Sequence, residues 1–358
     1  MKIGSYDMKQ ILFIGQLSPP INGQTSVNRA IVALLSNYFH VDTVDTTTGT
    51  TALRPLRILT YIYKNISCCV KLYFQTDHRH EVAYVSCNNN WGLFFSIVHL
   101  SIVSGRSRRI FLHHHSFRYV NKVSWLMYYI SKKFRGSLNH VFLCNEMKNL
   151  FQIRYGEVDN VIIDNSAFIT ASNVRKEQKN DGYITIGLIS NLSHEKGLDI
   201  FLEIVRKICH NSSKYQAILA GPASSSDKLS IEEIGTDELF TLNYRGPVYG
   251  LDKIQFYKDI DILVFPTRYA TEAQPLVIFE AHSYGVPVVS TPLGCIPDQI
   301  SDYGGDIYND ENYGNYAIDK IQQLSETLKS TDLSQQIIDN FYKRKTTAKR
   351  NFLKLFNI

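Results

Sequence analysis

The sequence predicts an α/β protein of two Rossmann-like domains, and three observations point there. At 358 residues the chain is too long for one ordinary domain, and 44% hydrophobic with 20% charged residues is a globular composition. Two stretches open alike, with a short apolar run, a polar loop and then an amphipathic segment: QILFIG from Gln10 and YITIGLIS from Tyr183. Between them, ITASNVRKEQKNDG (169–182) has the composition of a linker.

Taken in order, Gln10–Gly15 reads as a buried strand, followed by the loop QLSPPINGQTS, a helix over Val27–Ser36 that Ser26 could cap, and a strand near Val41. This is a Rossmann-like start without GxGxxG, and Gly23 marks a place where backbone can come close to a ligand. Residues 51–75 read as helix, Glu81–Ser86 as strand and Trp91–Ser104 as helix; RRIFLHHHSF then reads as a strand running into a loop. Strand alternation puts His113 and His115 on one side of that strand end and His114 on the other. Val141–Cys144 and Val161–Asp164 read as the first domain's later strands. In the second domain NLSHEKGL is the first loop, Asp199–Cys209 a helix, Gln216–Ala220 a strand, and Leu251–Asp259 a helix. The terminal Ser334–Ile358 is amphipathic and basic.

The densest signal is Ile262–Gly294, ILVFPTRYATEAQPLVIFEAHSYGVPVVSTPLG. An apolar strand stops at Pro266; a polar loop leads to Pro275, suited to the first helical position; the helix ends at Tyr284 before Gly285 and Pro287, and VPVVS is the next strand. Glu272 lies before this helix and Glu280 inside it, with the free N–H groups of the leading turn between them. Such a turn suits a phosphate, and an ionised carboxylate on either side suits sugar hydroxyls. The plain alternative is a solvated loop acid and a helix-surface acid.

The strand, Pro, loop, Glu, Pro-led helix, Glu-Ala, Gly-x-Pro-Val-Val pattern closely resembles glycosyltransferase family 4, with its E-x7-E and GT-B fold, over about Ile184 to Ile300. The resemblance implies residues 1–170 as an acceptor-binding Rossmann-like domain, 171–182 as linker, and 183–335 as a nucleotide-sugar-binding domain facing the first across a cleft. It implies 336–358 as a helix crossing back to the first domain. It further implies that Lys196 of HEKG holds the donor diphosphate, Glu272 the sugar hydroxyls and Glu280 the ribose, and that His115, with His113 as the alternative, meets the donor sugar. Gly23 and Gln24 stand where the family touches donor phosphates, Gln274, Pro275 and Leu276 offer backbone N–H groups, and Gly246 and Val248 border the base. Where the family has arginine, this chain has Asn191, and Arg268 is a candidate replacement cation. Cys295, Asp298, Ala273 and Gln274 are milder departures, and Asp259-Ile260-Asp261 is read as structural, not as a metal-binding DxD.

The implied activity is retaining transfer from a nucleotide sugar, a UDP-sugar being favoured, to a saccharide or lipid-linked oligosaccharide acceptor in surface polysaccharide (O-antigen or capsule) assembly. No metal or other cofactor is expected. A nucleotide-sugar epimerase or phosphorylase of the same fold, or a non-catalytic binding relative, are the alternatives. Residues 1–165 hold 18 Lys+Arg against 9 Asp+Glu, and from Lys71 to Arg135 ten basic residues oppose only Asp77 and Glu81. Interleaved with aromatics, that surface suits an anionic membrane; no nucleic-acid recognition motif accompanies it. The six cysteines show no metal-like spacing and read as reduced thiols, and no window reaches the length of a membrane span, so the expected location is cytoplasmic, peripheral on the inner face of the membrane.

Overall fold

The computed structural model describes residues 10–19, 22–47, 54–75, 80–170, 182–235, 241–301, 306–307, 313–330 and 332–358. It divides into two units, Met1–Phe168 with Ala348–Ile358, and Ile169–Thr347. The expected linker falls almost wholly on 171–181, outside the described residues, as do Pro20 and Ile21 of the first loop.

The first unit runs β1 (Gln10–Gly15), α1 (Gly23–Leu35), β2 (His40–Asp45), α2 (Arg54–Gln75), β3 (His80–Ser86), α3 (Gly92–Ser104), β4 (Ser107–His113), α4 (Arg118–Asn121), α5 (Trp125–Lys133), β5 (Leu138–Phe142), α6 (Asn145–Tyr155) and β6 (Asn160–Ile162). Its strands form one parallel sheet in the order β2-β1-β3-β4-β5-β6. The chain moves outward from β1 to β2, then returns past β1 to β3, so the topological switch point lies between β1 and β3. α1 begins four residues earlier than the sequence suggests. Asn22, not Ser26, is its N-cap: the Asn22 carbonyl-bearing side chain accepts from Thr25 N–H at 3.0 Å, and the Thr25 hydroxyl accepts from Asn22 N–H at 2.7 Å.

The second unit runs β7 (Ile184–Ile189), α7 (Leu198–Asn211), β8 (Tyr215–Ala220), α8 (Ser225–Gly235), β9 (Leu242–Tyr244), α9 (Gly250–Asp259), β10 (Ile262–Phe265), α10 (Leu276–Ser283), β11 (Val288–Ser290), α11 (Ile296–Ile300), β12 (Asp306–Ile307), α12 (Tyr313–Ser330) and α13 (Leu333–Lys354). Its parallel sheet has the order β12-β11-β10-β7-β8-β9, with the switch point between β7 and β10. The apolar faces of α7, α9 and α10 close on that sheet through Phe201, Phe256, Ile278 and their neighbours, all buried. Pro275 is the N-cap of α10, extended at ψ 128°, and the helix starts at Leu276, one residue later than expected. Asp259 pairs with Arg245 at 2.6 Å and Asp261 accepts from Thr185 N–H at 2.8 Å, so both aspartates are structural.

Only the end of α13 belongs to the first unit. Up to Thr347 it lies in the second, where Ile337 and Phe341 bury against Phe279 and Ile169. Beyond Ala348, Phe352 and Phe356, one helical turn apart, enter the first unit's core with Tyr84, Phe111 and Phe39. Cys68, Cys69, Cys87 and Cys209 are free thiols. Cys144 and Cys295 are not, which corrects the reading of all six as reduced.

Candidate functional site

In the second unit, the loops leaving β7 and β10 meet at the switch point, where open α/β sheets hold their ligands. After β7 the chain makes a short 3-10 turn, His194–Lys196, capped by the Ser193 hydroxyl, which accepts from Lys196 N–H at 3.3 Å. Gly197 follows in the left-handed region at φ +76°, and a Cβ there would stand 2.0 Å from the Pro266 carbonyl oxygen. Only glycine lets this turn press on the end of β10. Arg268 clamps it: its N–H donates to the Glu195 carbonyl at 2.9 Å and its guanidinium to the His194 carbonyl at 2.8 Å and to Asp199 at 2.5 Å. The guanidinium thus pairs with Asp199, so Arg268, the replacement cation suggested by sequence, braces the lysine turn. Asn191 is exposed at the head of the same loop.

So held, Lys196 donates from Nζ to Glu272 Oε2 at 2.5 Å and lies 4.6 Å from the centre of the Tyr269 ring. The Thr267 hydroxyl reaches the same Glu272 oxygen at 3.4 Å. The Glu272–Pro275 stretch is laid down by the turn after β11. Gly294 sits at φ +59°, where a Cβ would meet the Glu272 and Ala273 carbonyl oxygens at 2.3 and 2.7 Å. Cys295 N–H donates to Ala273 O at 2.7 Å, and the Gln299 amide to Pro275 O at 3.0 Å. α10 then starts at Leu276 with no side-chain cap and no acid in its first turn, leaving a turn whose N–H groups and dipole favour an anion. Gln274 is buried just ahead of it.

Further along α10, Glu280 is bracketed from α9: Lys253 Nζ donates to Oε1 at 2.6 Å and the Tyr257 hydroxyl to Oε2 at 2.7 Å. Tyr257 is buried, its ring stacked on Tyr284 with centroids 5.6 Å apart. These two partners were missed from sequence, although their i, i+4 spacing on a helix was the available signal. Val248 packs on the unit's core, and Gly246 is left-handed at φ +67°. A groove of about 430 Å³ between α7 and α8 is lined by His194, Asp199, Glu203, Arg206 and Asp227 among others, and by none of Lys196, Glu272 and Glu280.

In the first unit, Gly23 is exposed at the head of α1 with open space around its α-carbon, and Gln24 donates to Ser86 Oγ at 3.0 Å. The loop between β1 and α1 is tied to Asp45, which accepts from Leu17 N–H at 3.0 Å and from Ser18 Oγ. Burial alone would raise this carboxyl, but hydrogen bonds from the Ser18 and Thr47 side chains and backbone N–H groups outweigh it and bring it down to about 2. The three histidines divide as strand alternation requires. His113 and His115 lie side by side, ring centroids 4.1 Å apart and planes tilted by 46°, while His114 turns the other way to the Tyr119 hydroxyl at 2.8 Å and His140 at 2.9 Å. His113 is fully buried and hydrogen-bonded to Tyr84 at 2.9 Å. His115 is half-buried, with its Nε2 sequestered and without a partner. Burial pushes it down to about 3, so its imidazole is neutral at pH 7.

Residues 170–344 match the family model described as Glycosyl transferases group 1. Over 118 residues the chain is 28% identical to the phosphatidylinositol N-acetylglucosaminyltransferase gpi3 subunit of Schizosaccharomyces pombe; the match takes in 32% of this chain and 25% of that protein's length. Among solved structures, Anabaena HepE in complex with UDP-glucose superposes with a TM-score of 0.71 at 17% identity, covering 97% of this chain and 99% of the other. Sucrose-phosphate synthase of Thermosynechococcus elongatus gives 0.73 at 13% identity, covering 98% of each. At such identities the likeness establishes the fold, which is GT-B. The family match falls almost exactly on the extent of the second unit.

Proposed function

We propose that the protein moves a sugar from a nucleotide-sugar donor, a UDP-sugar in first place, to a saccharide acceptor carried on a lipid, with retention at the anomeric carbon. The observation that carries this reading is the Lys196–Glu272 pair set at the switch point, beside a helix whose leading turn has no side-chain cap. A cation, a row of aimed N–H groups and a carboxylate are what a sugar diphosphate needs. In transfer, the bond from the anomeric carbon to the leaving phosphate oxygen breaks and one to the acceptor hydroxyl forms, while charge builds on the diphosphate. Lys196 and the α10 turn meet that charge, and Glu272 takes the sugar hydroxyls. Glu280, already held by Lys253 and Tyr257, presents its carboxylate to the ribose diol, and Val248 borders the base. Roles for Gly23, Gln24 and His115 toward the donor rest on the resemblance alone.

Two supports come from the relatives. HepE is a structure of this fold that holds UDP-glucose, and the fission-yeast relative is named for transfer onto phosphatidylinositol, a lipid. A place in surface-polysaccharide assembly at the membrane's inner face follows from the same lipid-acceptor reading. The test is a thermal-shift panel of UDP-, GDP- and ADP-sugars followed by product analysis with a lipid-linked saccharide. A donor at 100 times its Kd stabilises by about 2.7 kcal/mol, a rise of roughly 5–10 °C for a unit of this size. A panel in which no donor moves the midpoint by more than about 1 °C defeats the reading.

A further inference from the structure

α2 has two apolar faces. Tyr61, Asn65, Cys68 and Leu72 turn inward, where the last three are buried. Leu59, Tyr63, Ile66, Val70 and Tyr73 recur at four- and three-residue steps on the opposite side, and all are exposed, Tyr63 at 74%. At 100° per residue, Ile62 and Phe74 widen that outer stripe to an arc of about 120°, with Phe74 at 72% exposure. A helix that turns an unbroken apolar stripe to water has a partner.

The helices beside it expose large aromatics too. α2 packs on α3, and α3 on α5. Trp91, just before α3, is 80% exposed, and Trp125, which opens α5, is 72% exposed. Cations lie against the exposed rings: Arg106 is 4.6 Å from the centre of Tyr73, Lys132 5.3 Å from Tyr128 and Lys133 5.4 Å from Tyr129. Lys64 and Lys71 edge the α2 stripe, and the sequence from Arg54 to Gln75 contains four Lys and Arg and no Asp or Glu. No described helix is long and apolar enough to cross a membrane.

We propose that α2, with the leading ends of α3 and α5, is a docking surface for an anionic bilayer and lies flat at headgroup depth. This names a partner for the lipid-acceptor reading and rests on it only for what the bound protein then does. Charge decides the occupant. A second copy seated face to face would oppose lysine and arginine to lysine and arginine with no acid in the stripe to relieve them. Anionic lipid takes the same cations, while tyrosine and tryptophan, apolar in body and polar at the tip, suit the boundary between acyl chain and headgroup.

The test is co-sedimentation of the full chain with vesicles of one part phosphatidylglycerol to two parts phosphatidylcholine, against phosphatidylcholine alone, at about 0.1 M salt. Wild type should partition onto the anionic vesicles at least about tenfold better than onto neutral ones. Tyr63→Ser with Phe74→Ser, and separately Lys64→Glu with Lys71→Glu, should each lower that partition by about tenfold or more. The thermal midpoint of the first variant should be unchanged because Tyr63 and Phe74 are exposed, and that of the second should move little, Lys71 being exposed and Lys64 half-buried. Absence of wild-type binding to the anionic vesicles overturns the proposal, as do variants that bind like wild type. A wild-type dimer in ultracentrifugation that the aromatic variant converts to monomer also overturns it, giving the stripe to self-association. The panel of UDP-, GDP- and ADP-sugars run as thermal shifts on the same proteins keeps the two readings apart. Vesicle binding without a shift from any donor of the panel removes the transferase reading and leaves the docking surface, and a donor shift without vesicle binding does the reverse.

Discussion

Replacing Lys196 by Met and Glu272 by Gln, singly and together, tests whether the pair at the switch point is a structural clasp or a ligand site held ready. The two side chains are 22% and 12% exposed, between a surface pair, worth about 0–1 kcal/mol, and a buried one, whose breaking costs about 3–5. Each single change should therefore destabilise by about 1–2 kcal/mol, or roughly 2–8 °C in midpoint, and the double change by less than the sum. Binding should respond differently. If Lys196 moves to the diphosphate, its loss removes a charge-assisted hydrogen bond of about 1.5–3 kcal/mol, a roughly 10- to 150-fold weaker Kd for UDP. With a saturating UDP-sugar the coupling between the two residues should shrink, since each then holds a different part of the donor. Calorimetry with UDP and thermal midpoints with and without donor measure both quantities. A Lys196→Met protein that binds UDP like wild type, or a coupling as large with donor as without, refutes the assignment.

Three further outcomes follow from the same geometry. Gly197→Ala places a methyl 2.0 Å from the Pro266 carbonyl in left-handed backbone, so it should cost about 2–4 kcal/mol by denaturation and weaken UDP binding as the lysine turn lifts; a neutral result contradicts the close approach. Phe352→Ala should cost about 3–5 kcal/mol in unfolding of the first unit, because the ring is buried against Tyr84, Phe168 and Phe356. Burial brings His140 and His115 down to about 3, so the folded state keeps them neutral while an unfolded histidine protonates near 6.5. Their stabilisation is complete above pH 6.5 and is lost as pH falls toward 3, and a thermal midpoint that stays flat from 6.5 to 4 would contradict it.

What the sequence made legible was local. The strands that open both units are continuous apolar runs, because a parallel strand is covered on both faces, and their ends fall within a residue or two of expectation. α1 was misplaced because Asn22 and Ser26 are both good caps, and only the reciprocal bond from Thr25 selects the first. α8 is weakly amphipathic and buries only Ile231, so no periodicity announces it. The site is a different matter. Lys196 and Glu272 are 76 residues apart, and nothing in either neighbourhood says they touch; the strand order does, by bringing β7 beside β10. Arg268 shows the converse. Its position in the loop suggested a phosphate cation, but Asp199, 69 residues away, claims it.

That leaves the donor phosphates, on this reading, with one side-chain cation where the resembling family has two, and it makes residue 191 the sharpest remaining test. Asn191 is exposed at the head of the loop whose far end carries Lys196, so a longer side chain there meets no packing obstacle. Arginine stays charged at any working pH and can fork two N–H groups toward a phosphate. Asn191→Arg should leave the ligand-free midpoint unchanged, since exposed substitutions away from caps and cores stay within about 0.5 kcal/mol. It should tighten UDP by roughly tenfold, the lower end of what a charged hydrogen bond contributes once the cost of ordering a long side chain is subtracted. The gain should fade with added salt if the contact is electrostatic. A gain in affinity is harder to produce by accident than a loss, so this substitution is the more demanding one. An Asn191→Arg protein with wild-type UDP affinity would mean that the loop after β7 does not present this position to phosphate, and the placement of the donor over Lys196 would fall with it.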